Sequence, residues 1–198
     1  MKKMISQATL IHMIVTCGLL GYTNMSFAHE GDLHVHTFVS GMVHPLLGLD
    51  HLAALALTGI WATVLVKDQR SVWLPVTFLV AMSTGLIAGG LGWTFSAMSA
   101  DTAVLFALMG MPVLLLLRAP LSMSLMLMSV AGIVHGNAHT GNANQVAMGG
   151  WLAGLMLMSA ALHMTGWRIG MALSSQRWFQ GCLGVMTVAV SAGLISGV

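Results

Sequence analysis

Charge is the scarcest property of this sequence: 6% of its 198 residues are Asp, Glu, Lys or Arg, against roughly 25% in a soluble domain. The seven basic residues, Lys2, Lys3, Lys67, Arg70, Arg118, Arg168 and Arg177, are scattered and form no stripe, which excludes a nucleic-acid-binding surface. Cysteine is nearly missing as well. Cys17 and Cys182 both fall in apolar runs, so no disulfide framework and no redox pair is offered. Glu30 is the only glutamate and lies outside the expected spans, leaving no His-Glu-x-x-His arrangement for an intramembrane metalloprotease. No Gly-x-x-x-x-Gly-Lys-Ser/Thr loop is present to hold a nucleotide phosphate. The chain reads as a protein that is not an enzyme.

What the sequence has is apolar length: 57% of it is hydrophobic, so lipid rather than water is its solvent. Lys2 and Lys3, an apolar core through Leu20 and the small-residue site Ser26-Phe27-Ala28 make residues 1–28 a signal peptide, leaving His29 first after cleavage. An uncleaved anchor helix is the alternative. Further apolar runs at 45–66, 72–92, 101–117, 121–139, 146–165 and 178–197 suit the about 17–25 residues that a membrane crossing needs. The expected fold is therefore all-α: a periplasmic His-rich segment at 29–43, then six transmembrane helices within 44–198. Lys67 with Arg70, Arg118, and Arg168 with Arg177 occupy alternate loops, while 92–100 and 140–145 contain no Lys or Arg. The positive-inside rule then places both mature termini outside, in a bacterial inner membrane.

Gly85 and Gly89, Gly150 and Gly154, and Gly193 and Gly197 form small-xxx-small pairs that permit close helix approach. Trp61, Trp73, Trp93, Trp151, Trp167 and Trp178 lie mostly near span ends and read as membrane anchors. Met is abundant, at 18 residues, and Met123, Met126, Met128, Met156 and Met158 read as lipid-facing or core filling.

Ionisable groups within spans are costly and mark function. The first span begins His44-Pro45-Leu46-Leu47-Gly48-Leu49-Asp50-His51. Pro45 suits a first helical turn, which puts His44 at the helix start and outer interface. In a regular helix His51 returns to within about 20° of His44, so both imidazoles share a face opened by Gly48. Asp50 points about 100° away, toward a neighbouring wall or as an acceptor for a histidine N–H. The fourth span ends in His135-Gly136-Asn137-Ala138-His139, with both histidines on one face and at the depth of the first-span group. His44, Asp50, His51, His135 and His139 can thus converge on a metal. Imidazole with carboxylate suits nickel, zinc, cobalt or copper(II). His29, His34 and His36, with Glu30 and Asp32, read as a capture tract outside the membrane, with a solvated polar linker as the alternative. His163 stands alone near the cytoplasmic end of the fifth span and reads as a packing residue, with an exit step as the alternative.

The pattern His44-Pro45-x-x-Gly48-x-Asp50-His51, following a signal peptide in a six-span chain, resembles the HupE/UreJ family of nickel permease-type proteins, over essentially the whole mature chain. The resemblance implies that His44, Asp50 and His51 serve nickel passage, with a functional link to a nickel enzyme such as hydrogenase or urease. The family's fourth-span pattern, His-Gly-x-Ala-His-Gly-x-Glu, is met at His135, Gly136, Ala138 and His139. It is then broken by Thr140 before Gly141, and no glutamate follows, which leaves Asn142 or Asn144 as neutral substitutes. The expected function is facilitated diffusion of Ni2+, with Co2+, Cu or Zn2+ as alternative cargo. Two further alternatives are a haem protein, since histidines from two helices also ligate haem b, and a metal-binding accessory protein that transports nothing.

Overall fold

A computed structural model of the chain describes residues 37–47, 49–94, 119–139 and 148–196. The signal segment, the tract at 29–36 and the expected third span lie outside the described residues. Among those described, all regular structure is helical: α1 Phe38–Leu47, α2 Leu49–Leu65, α3 Trp73–Gly90, α4 Leu121–Ala138, α5 Met148–Leu173 and α6 Arg177–Ser196, with a 3-10 turn Gln69–Val72 before α3. Among the described residues, two segments, Gln69–Gly90 and Leu121–Ala138, are long and apolar enough to cross a membrane.

The first expected span departs most from expectation. Its helical structure starts at Phe38, because Thr37 and Ser40 form a reciprocal cap: the Ser40 N–H donates to Thr37 Oγ1 at 3.1 Å and the Thr37 N–H to Ser40 Oγ at 2.9 Å. Pro45 therefore lies inside α1 rather than at a helix start, and His44 sits in the last turn of that helix. Proline lacks the N–H that would bond the carbonyl four residues back, and α1 ends two residues later. The following helix, α2, begins at Leu49, with Gly48 between them outside the described residues.

Shape rather than hydrophobicity selects helix partners in lipid, because hydrocarbon tails are as apolar as leucine. Glycines mark those contacts. A Cβ on Gly41 would run into the Trp151 carbonyl, on Gly154 into that of Phe38, on Gly59 into that of His163, and on Gly166 into that of Ala56. From the α1 contacts (Phe38 and Gly41 with Gly154 and Trp151) to the α2 contacts (Ala56 and Gly59 with Gly166 and His163) the partners climb together in number, so α1 and then α2 run parallel to α5. In the same way Gly85 meets Ile133, Gly132 meets Phe78 and Gly136 meets Met82, setting α3 parallel to α4. Of the three expected glycine pairs, Gly85 and Gly154 make such contacts.

The fully buried side chains Trp61, Phe78, Leu55, Leu65, Leu74, Met82, Leu86, Met128 and Leu155 fill the space between the helices. Val80, Met123, Met126, Val130 and Leu157 are exposed, a surface suited to lipid. Hydroxyls are satisfied inside their own helices: Thr58 donates to the Ala54 carbonyl, Ser83 to Leu79, Ser129 to Leu125 and Thr187 to Leu183. Not all tryptophans are interfacial. Trp61 and Trp151 are core residues, since each lies on the face its helix turns to a neighbour, while Trp73, Trp93 and Trp178 are exposed. Trp167 is partly buried and donates its indole N–H to Ser71 Oγ at 2.9 Å.

Connections are equally specific. Asp68 caps the 3-10 turn by accepting the Arg70 N–H at 2.7 Å, and its carboxylate also takes the Arg70 guanidinium at 2.7 Å. At the far end of α3, Gly92 adopts φ +92°, and the N–H groups of Gly92 and Trp93 bond the Gly89 and Ala88 carbonyls at 2.9 and 3.0 Å. This left-handed helix stop favours glycine. It turns the Trp93 carbonyl toward α4, where Asn137 Nδ2 donates to it at 2.7 Å and to the Gly85 carbonyl at 3.2 Å. The fifth helix runs through Arg168 to Leu173, further than the expected span; 26 residues extend about 39 Å, past the roughly 30 Å hydrocarbon layer.

Candidate metal centre

Four of the five expected membrane ligands have described side chains, and they come together. His44 ends α1, His51 lies in the first turn of α2, His135 lies in the last turn of α4, and His139 caps that helix at φ −80°, ψ −5°. The numbering runs in opposite senses on the two sides: the His44 and His139 rings are 5.2 Å apart and those of His51 and His135 5.7 Å. Further centroid distances are 5.6 Å for His44 to His51, 5.2 Å for His51 to His139 and 4.9 Å for His135 to His139. Gly136 seats this end of α4, because its bare face lets the helix press on the Met82 backbone of α3.

Ligand-capable nitrogens of His44, His51 and His139 all lie within 4.8 Å of one another. The Nε2 atoms of His135 and His139 are 3.4 Å apart. Two nitrogens held by one ion at about 2.0–2.1 Å stand roughly 3.4 Å apart in a tetrahedron and about 4.2 Å apart at most. The His135 and His139 pair already has that spacing, and the trio, with nitrogens up to 4.8 Å apart, needs to contract by up to about 1.4 Å to reach it. His135 and His139 are buried at 3% and 6% exposure, and His44 and His51 are partly buried. A donor set of imidazoles walled by aromatic rings suits a borderline cation that prefers nitrogen. The wall includes Trp151, 5.5 Å from His44, and Phe78, 5.8 Å from His135.

Asp50 belongs to the first turn of α2, and its side chain lies outside the described residues, as do His29, His34 and His36. Asn142 and Thr140 lie outside them too. His163 is not part of the cluster: it sits within α5, fully buried, with Nδ1 2.7 Å from the Ser159 carbonyl. Sequence reasoning did not single out Phe78, Trp151 or Asn137 as parts of this region. Only Asn137 carried a signal, as an amide between two histidines in an apolar span.

Comparison with known proteins agrees with this arrangement of motifs. "Protein HupE" of Rhizobium leguminosarum bv. viciae is similar to the chain, with 26% identity over 183 residues, 91% of each protein. No solved structure matches the chain. The family model described as HupE / UreJ protein matches residues 17–194. Covering most of the chain and both histidine pairs, this match means that the protein belongs to the HupE/UreJ family, a family of metal-transporting membrane proteins.

Proposed function

We propose that this protein is a permease that admits nickel across the bacterial inner membrane by facilitated diffusion, through a site made by His44, Asp50, His51, His135 and His139. The observation that carries the reading is the approach of four imidazoles from two different parts of the chain, with neighbouring ring centroids 4.9–5.7 Å apart. Family membership supports a nickel/cobalt permease-type role. A hydrated divalent ion does not cross hydrocarbon unaided. Imidazoles replace its water shell, and Asp50 supplies the negative charge that a double positive charge demands at low dielectric.

In this reading residues 1–28 are cleaved and six spans follow with both termini periplasmic. His29, His34 and His36 collect the ion and pass it to His44. Consumption inside the cell, by a nickel enzyme such as hydrogenase or urease, draws the ion inward. The test is uptake of radiolabelled nickel by cells and by vesicles containing the purified protein alone. His51→Ala and His135→Ala each abolish uptake while the protein remains in the membrane; unchanged uptake in both variants would overturn the assignment.

A second reading, cobalt or copper as cargo, is favoured by the missing glutamate of the fourth-span pattern, for which Asn142 or Asn144 is a neutral substitute. Losing a carboxylate weakens the preference for harder cations and leaves a set dominated by nitrogen. Competition of nickel uptake by cobalt and copper(II) separates the readings: the ion that displaces nickel at substoichiometric concentration is the preferred cargo.

A further inference from the structure

Phe78 of α3 is fully buried, and its ring lies against two histidines from different helices, 5.8 Å from His135 and 5.1 Å from His163 between centroids. His135 belongs to the four-histidine cluster. His163 does not: along α5 it lies about 18 Å from Trp151, the residue on that helix that touches His44. The Phe78 ring therefore separates the cluster from one further imidazole set deeper in the bundle.

The protonation of that imidazole follows from its partner. His163 Nδ1 is 2.7 Å from the Ser159 carbonyl, which only accepts, so Nδ1 carries the proton and Nε2 carries the lone pair. That Nε2 is buried and has no hydrogen-bond partner among the described residues. The Ser159 hydroxyl, one turn earlier on the same helix face, is in the same condition. The contrast with Thr58 and Thr187, whose buried hydroxyls bond carbonyls in their own helices, is direct. Buried polar atoms are almost always paired, and a leucine would fill the His163 space without leaving a bare acceptor. An imidazole whose N–H is tied to a backbone carbonyl while its other nitrogen is open is how histidine is held when it ligates a metal.

We propose that His163 Nε2, with the Ser159 hydroxyl, forms a second station for the divalent cation, inward of the cluster and divided from it by Phe78. The proposal rests on the reading of the cluster as the outer site. An ion leaving four nitrogens then meets a nitrogen and an oxygen on the far side of an aromatic ring, whose face itself attracts cations. Weak inner ligation lets the ion move on toward the cytoplasm.

The experiment compares full-length wild type, His163→Leu, His163→Cys and His51→Ala, each purified and reconstituted, with Ni2+ as the probe. Equilibrium binding reads the cluster and the rate of flux into vesicles reads the route. His163→Leu is expected to keep Ni2+ affinity within about twofold while flux falls by about tenfold or more, since even loss of a group that only supports a metal ligand costs about 10–100-fold. His163→Cys, which restores a donor, recovers flux. Wild-type flux in His163→Leu overturns the proposal, and so does equal loss of flux in the Leu and Cys variants, which would make shape rather than ligation the requirement. Unchanged binding and flux in His51→Ala would instead remove the cluster reading on which the inner station depends.

Discussion

The Nε2 atoms of His135 and His139 face each other across 3.4 Å, one turn apart on a helix end that is almost wholly buried. In the site proposed above, the lone pairs of these two nitrogens would serve one ion. The expected consequence is strong coupling. His135→Ala and His139→Ala each lower Ni2+ affinity about 10–100-fold, and the double variant loses less than the product of the two because the pair acts as a unit. Isothermal titration of the purified protein measures this, and fully multiplicative losses would count against a shared ion.

Protons compete for the same nitrogens. Each imidazole must be deprotonated to ligate, so acid favours release. Nickel binding is expected to weaken on acidification, with more than one proton taken up per ion released. Release of nickel in acid with no accompanying proton uptake would be inconsistent with histidine ligation.

The helix contact behind the cluster is tested by glycine. A Cβ on Gly136 or Gly85 would collide with the backbone of the facing helix, whereas Gly149 and Gly181 have nothing within 4 Å. Gly136→Ala and Gly85→Ala are expected to destabilise the protein by at least about 1–3 kcal/mol, as overpacking does. Gly149→Ala and Gly181→Ala are expected to be neutral or slightly stabilising, because alanine is the better helix former. Thermal unfolding in detergent distinguishes the two groups, and Gly136→Ala is expected to lose metal binding as well.

Asn137 fastens α4 to the turn that ends α3, through the Trp93 and Gly85 carbonyls. Asn137→Ala removes both bonds and is expected to cost about 1–2 kcal/mol, the scale of an interhelical hydrogen bond in a membrane. Ni2+ affinity is expected to drop with it, because the same helix end carries His135 and His139. Unfolding by a graded denaturant and Ni2+ titration of one preparation check both effects.

The loop before α3 is governed by Arg70, whose hydrogen bonds to the Asp68 carboxylate hold that acid below the usual carboxylate range. A lowered acid stabilises the fold above the ordinary carboxylate range, and that contribution is lost as pH falls through the lowered value. Asp68→Asn is expected to remove this acid dependence while leaving metal uptake and membrane insertion intact, because Lys67 and Arg70 remain. Melting curves taken below about pH 5 compare the variant with wild type.

Much of this protein is legible along the chain. An apolar, nearly uncharged sequence can satisfy its backbone in lipid only as helices or closed barrels, and runs of spanning length select helices. The limits of α3, α4 and α6 follow closely from where apolar residues stop, and the histidines announce themselves because few side chains are as costly in that setting. The same uniformity conceals the rest. When every helix face is apolar, the sequence carries little sign of which face meets lipid and which meets a neighbour. Thus Trp61 and Trp151 read as anchors and are core, and the parallel partners, α1 and α2 with α5 and α3 with α4, emerge only from glycines seated against facing backbones. Pro45 inside α1, made possible by a cap at Thr37 and Ser40, moves His44 from a helix start to a helix end. Tertiary packing decided that His44 and His51 meet His135 and His139 across helices, and that Phe78, unmarked in sequence, lies between that cluster and His163.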